Sequence, residues 1–163
     1  MLTKKSSLLL GLTAAVPLLF AACTDNNIFN PMSNDAGTYQ LTVYAGRTPP
    51  ATYTIQPNDP TYGTIAPNGG TLVVTGGTLV LNSDGTFAET NNYTITPSGG
   101  SAQQYQYQSS GTWTVNGTAF SLSDPSRGRQ VTGTLEADLN NNLTVNYAED
   151  DGTGTFQQYE YKR

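Results

Sequence analysis

Glu149, Asp150 and Asp151, set against Gly152, form the longest run of carboxylates in this 163-residue chain. Two carboxylates facing one glycosidic bond can act as acid and base in its hydrolysis, and six to eight converging oxygens can hold calcium. The spacing favours neither. Neighbours on a strand point to opposite faces, neighbours in a turn point to water, and the run lacks EF-hand spacing, as does the stretch 124–128. It reads as a solvated hairpin tip. Glu89, Glu136 and Asp138 are isolated acids within strand patterns, expected mostly on exposed faces. Ser98-Gly99-Gly100-Ser101 offers hydroxyls, but there is no Gly-x-Ser-x-Gly and no histidine to take a serine proton. The lack of histidine also removes the commonest metal ligand and the usual proton shuttle. No catalytic residue, metal site or cofactor is assigned, and the chain is not expected to be an enzyme.

Two other groups of residues have chemistry to offer. Arg127 and Arg129 flank Gly128 and share a strand parity, so they could meet an anionic ligand or lie on a solvated edge. Tyr93, Tyr105, Tyr107, Trp113, Tyr147, Tyr159 and Tyr161 all fall on predicted strands. Facing inward, they can pack as a barrel core with hydroxyls at the rims. They can also line a pocket in which the hydroxyls fix a ligand. Tyr93, Tyr105, Tyr107, Trp113, Tyr147 and Tyr159 are taken as the candidate ligand pocket.

The elements that must position them repeat every two residues, with turn signals at short intervals. Tyr39, Leu41 and Val43 alternate with polar neighbours, and a second strand covers 51–56. Residues 57–70 are irregular, with Tyr62 and Ile65 as anchors. Two short strands, 72–75 and 78–81, are split by Gly76-Gly77, and Asn82-Ser83-Asp84-Gly85 turns into a strand over 86–96. A loop at 97–102 precedes a long strand, 103–115, that carries Tyr105, Tyr107 and Trp113 at one parity. Asn116-Gly117 predicts a type I′ hairpin, since both residues tolerate positive φ. Strands over 118–123, 130–138, 143–148 and 153–162 follow, separated by turns at 124–128, 140–142 and 149–152. No segment has a helical period. Eight to ten antiparallel strands in sequence must manage their edges, and closure into a barrel removes them. The last strand, near Phe156 and Tyr161, is placed to pair with the first; a two-sheet sandwich is the alternative.

Composition bounds the partners. Lys4 and Lys5 lie ahead of an apolar run over residues 8–22, which ends Leu18-Leu19-Phe20-Ala21-Ala22 before Cys23, the only cysteine. This is the pattern of a secretory signal. Its 15 apolar-segment residues, with Pro17 among them, fall short of the roughly 20 that span a bilayer. Seven basic residues less Lys4 and Lys5 leave five against twelve acidic ones, a net charge of −7 beyond residue 22. Such a surface repels nucleic acid and anionic membranes. Residues 24–36 are rich in Asn, Asp and Pro without periodicity and read as a tether, with a reach on the order of 20 Å.

Ala21-Ala22-Cys23 resembles the lipobox of bacterial lipoproteins. The resemblance implies diacylation of the Cys23 sulfur, with palmitate-type chains, cleavage before Cys23 and acylation of the new amino terminus. Anchoring by two or three chains is firm. With Thr24 rather than Asp after the cysteine, it further implies the outer membrane in a Gram-negative envelope. Gly37-Thr38-Tyr39, Pro49-Pro50-Ala51-Thr52-Tyr53, the run 77–87 (GTLVLNSDGTF), the run 111–117 (GTWTVNG) and the closing Tyr159-Glu160-Tyr161-Lys162-Arg163 follow in order. Together they resemble bacterial lipocalin-like domain lipoproteins. That resemblance implies an up-and-down β-barrel of about eight strands with an interior able to hold a small ligand. It carries over no ligand residues: the Gly-x-Trp of animal-type lipocalins is here Gly37-Thr38-Tyr39, and there is no Thr-Asp-Tyr motif.

The expected organisation is a signal peptide over 1–22, a lipidated Cys23 with its tether over 23–36, and a barrel domain over 37–163. The expected partners are the membrane, through acyl chains on Cys23, and either a small hydrophobic ligand in the barrel or an envelope protein docked on a filled one.

Overall fold

The structure is a computed structural model and describes residues 34–150 and 156–163. Cys23, the leader, most of the tether, Asp151 and Gly152 lie outside the described residues. Nine strands follow in chain order: β1 Gly37–Tyr44, β2 Ala51–Pro57, β3 Asn68–Leu81, β4 Thr86–Pro97, β5 Gln103–Asn116, β6 Ala119–Asp124, β7 Arg129–Ala137, β8 Leu143–Asp150 and β9 Phe156–Lys162. All pairings are antiparallel. From β3 to β9 each strand pairs with the next, β9 pairs with β1, and β1 returns to β3. The result is a closed eight-stranded up-and-down barrel with β2 as an extra strand, as the edge argument requires. β1 takes residues 78–81 of β3, and β2 takes residues 68–74 of the same edge.

The Gly76-Gly77 break does not end a strand. β3 is continuous, and its register to β4 shifts between Val74 and Gly76. Leu72 and Val74 have even parity, Leu79 and Leu81 odd, and all four are buried. One extra residue is therefore needed to keep both apolar sets inward, and a bulge supplies it. β1 does the same between Leu41 and Val43, so that Leu41 and then Tyr44 face in.

The β5–β6 hairpin is present, but its turn differs from expectation. Asn116 pairs with Ala119, so the central residues are Gly117 and Thr118, and of the pair only Gly117 has positive φ, at 61°. Glycine at the first central position is the signature of a type II′ turn.

Up-and-down connectivity places successive turns at alternate ends. At one end, Trp113 is 1% exposed and donates its indole N–H to the Asn82 carbonyl at 2.9 Å, while its backbone N–H reaches the Gly85 carbonyl at 2.8 Å. It packs against Phe120, ring centroids 6.3 Å apart, within a core that includes Leu81, Phe87, Leu122, Leu135 and Val145. Below that core, Arg163 donates to the carbonyls of Asn34 (3.0 Å) and Ala36, and the Tyr39 hydroxyl donates to the Asp35 carbonyl at 2.5 Å. The last described residues of the expected tether are thus tied to this closed end. Burial, the leading cause, raises the Tyr39 hydroxyl to about 12.

Candidate functional site

Inward positions change character along the barrel. β4 presents Phe87, Glu89, Asn91, Tyr93 and Ile95 at one parity, and Glu89 is 1% exposed. An ionised carboxylate in a barrel interior is costly unless it is paired and hydrogen-bonded. Arg129, at the start of β7, supplies the pair: Nη1 lies 2.7 Å from Glu89 Oε2. The same guanidinium grips Glu149 on β8 with two bonds, Nε to Oε1 at 2.8 Å and Nη2 to Oε2 at 2.7 Å. The fork geometry of arginine suits this bidentate hold. Burial works against the charge on Arg129, but Glu149 and Glu89 outweigh it and raise its pKa further.

The remaining lone pairs are taken by hydroxyls and an amide. Tyr147 and Tyr161 donate to Glu89 Oε1 at 2.6 and 2.7 Å, and Asn91 Nδ2 donates to the same oxygen at 2.9 Å. Asn91 sits above Gly77, where a Cβ would fall 1.9 Å from its Oδ1, so only glycine leaves room. Arg129 Nη1 also donates to Ser109, whose hydroxyl donates to Asp124 at 2.8 Å. Asp124 collects further bonds from Ser126 and from the amides of Ser110 and Arg127. The Ser126 hydroxyl first, with Ser109 and the backbone amides, holds its carboxyl down at about 2. Among the described residues no buried side-chain polar atom lacks a partner. Tyr147 and Tyr161 are raised well above the usual phenol range, mainly by burial and by the Glu89 charge, and keep their protons.

Above this polar floor, at the end opposite Trp113, is a cavity of about 240 Å³. Tyr44, Tyr62, Tyr93, Tyr107 and Tyr159 line it, with Leu72 and Val74 on one wall and Asn91, Glu149, Asp150 and Gln157 at the floor and mouth. Tyr62 reaches it from the connection between β2 and β3, where the Asp59 carboxylate accepts the amides of Thr61 and Tyr62 at 2.9 Å each. Tyr93 stacks on Tyr105, centroids 5.7 Å apart, and Tyr159 stacks on Tyr147 at 4.8 Å. Burial raises Tyr62, Tyr93, Tyr107 and Tyr159, so the cup offers neutral phenols.

Of the six candidate pocket residues, Tyr93, Tyr107 and Tyr159 line the cavity. Tyr105 stands behind Tyr93 and is not in its wall. Tyr147 is 3% exposed and belongs to the ion-pair floor, and Trp113 plugs the far end. Tyr44 and Tyr62 were not among the candidates and complete the cup. Two assignments of charge are corrected. Glu89 is not on an exposed face, and Glu149 is not in a solvated turn but on β8, bound to Arg129. Glu136 and Asp138 are exposed as expected. Arg129 does meet anions, but they are the protein's own, whereas the Arg127 side chain is half exposed. Parity alone marks these positions: Glu89 shares its parity with Phe87 and Tyr93, Arg129 with Val131 and Leu135, and Glu149 with Val145 and Tyr147.

Comparison of the chain with protein-family models, with curated proteins and with solved structures gives no match.

Proposed function

We propose that this chain is a lipid-anchored lipoprotein of the cell envelope, lipocalin-like in its barrel, that binds a small and largely apolar molecule without chemical conversion. The observation that carries the binding reading is the tyrosine-lined cavity of about 240 Å³ at one end of a barrel whose other end is packed shut. Ligand sites are typically concave and mostly apolar, with few fixing polar groups. A volume somewhat below the usual range of roughly 300–1,000 Å³ suits a compact molecule rather than a long acyl chain. The anchoring reading rests on the leader and Cys23, and in a Gram-negative organism it places the protein at the outer membrane.

Native mass spectrometry of the protein extracted in mild detergent from its own host's envelope tests the binding reading. A reproducible adduct that leaves on denaturation is the expected result, and a bare lipidated mass at all detergent concentrations counts against it. Cys23→Ser tests the anchor: the variant is expected in the soluble fraction, and unchanged membrane attachment would refute acylation.

A further inference from the structure

The cup has an electrostatic character beyond its shape. Its walls are phenol rings, whose π-faces are negative and attract cations. The protein already uses ring faces this way, in the cup wall and beside it: Arg127 and Arg129 lie 5.1 and 5.8 Å from the centroid of the lining Tyr107, Arg129 lies 5.6 Å from that of Tyr147, and Arg47 lies 5.1 Å from that of Tyr53. The ionisable side chains in the lining, apart from the phenols, are two carboxylates, Glu149 and Asp150. Arg129 beneath carries one positive charge shared between Glu89 and Glu149, so the three together remain net negative. Asp150, exposed at the mouth, adds to that field. A carboxylate or phosphate ligand would meet repulsion there. A bare metal ion would need converging oxygens, and among the described residues no three His, Cys, Asp or Glu side chains are so placed. An alkylated ammonium needs no such ligands. Its charge is spread over methyl groups that pack against rings, and it loses little hydration on entering.

We propose that the cup takes a small organic cation, an ammonium bearing alkyl groups, seated against the tyrosine rings with its charge toward Glu149 and Asp150. This rests on the reading of the cavity as a ligand site and narrows its ligand from largely apolar to apolar-bodied and cationic.

Choline and its uncharged carbon isostere, 3,3-dimethylbutan-1-ol, separate the two claims. Both are titrated by calorimetry at low ionic strength into the full chain in a non-ionic detergent. Choline is expected to bind about tenfold or more tighter than the alcohol, the scale of one to two desolvated cation–π contacts. Asp150→Asn should weaken choline about threefold and leave the alcohol unchanged. Tyr93→Leu, which keeps apolar bulk and removes the ring, should weaken choline more than the alcohol. Equal or tighter binding of the alcohol overturns the cationic preference while leaving the ligand site intact. Binding of neither probe overturns both.

Discussion

The two ends of this barrel are built from the same alternating strands and reach opposite outcomes. At the Trp113 end, inward positions carry Leu81, Phe87, Leu122 and Leu135, which fill the space between them. At the other end, Tyr44, Tyr93, Tyr107 and Tyr159 stand around a cavity that no side chain fills. Between them lies the Glu89–Arg129–Glu149 layer, satisfied by Tyr147, Tyr161, Asn91 and Ser109. A paired charge layer of this kind is weak support for stability in itself. It does give the cup a fixed floor, because Arg129 bonds side chains on β4, β5 and β8, and Glu89 bonds side chains on β7, β8 and β9.

Substitutions that break this contrast rank by what they leave behind. Arg129→Met removes the cation and strands a buried Glu89, so it is expected to cost about 3–5 kcal/mol by chemical denaturation. Trp113→Ala, at the closed end, leaves a cavity and takes the indole donor from the Asn82 carbonyl, and about 3–5 kcal/mol is expected there too. The pair differs in repair: adding Glu89→Gln should recover part of the Arg129→Met loss, whereas no charge change should help Trp113→Ala. Tyr161→Phe removes one donor from Glu89 and should cost about 1–3 kcal/mol. Tyr107→Leu, in the cup, should change stability by less than about 1 kcal/mol, since its side chain borders space that is already empty.

Acid sharpens the comparison. The Asp124 carboxyl titrates near 2 in the fold and near 3.9 when unfolded. A lowered folded pKa contributes stability that is complete above the unfolded value and is lost as pH falls through the folded one. Stability should therefore decline between about pH 4 and pH 2. In Asp124→Asn that decline should be shallower, leaving the part due to Asp84, Asp138 and Glu160, whose carboxyls are also lowered. Denaturation midpoints of the two proteins measured across that range check the difference.

Much of the architecture was legible in the sequence because period-two alternation and turn chemistry are local. Asn82–Gly85 and 140–142 turn as read, and the Asp84 and Asp138 carboxylates accept the backbone amides that make them do so. The pairing of the last strand with the first also followed from edge management. The site was less legible, since cavities depend on which inward residues share a height, and height is set by register and bulges. Trp113 and Tyr107 share a strand parity on β5 yet lie six residues apart along it, far enough to belong to different ends. Type-based expectation also misplaced Glu89 and Glu149: acids default to solvent, and the cross-barrel partner Arg129, 40 and 20 residues away, holds Glu89 in the interior and Glu149 at its edge.

The contrast between a hollow end and a solid one can be tested most directly by aromatic-ring NMR of the protein titrated with p-cresol, a neutral probe small enough for the cup. The account predicts saturable shifts at Tyr44, Tyr62, Tyr93, Tyr107 and Tyr159, with the Trp113 indole unmoved. Shifts at Trp113 of the same size, or saturation without any change in the cup tyrosines, would contradict it.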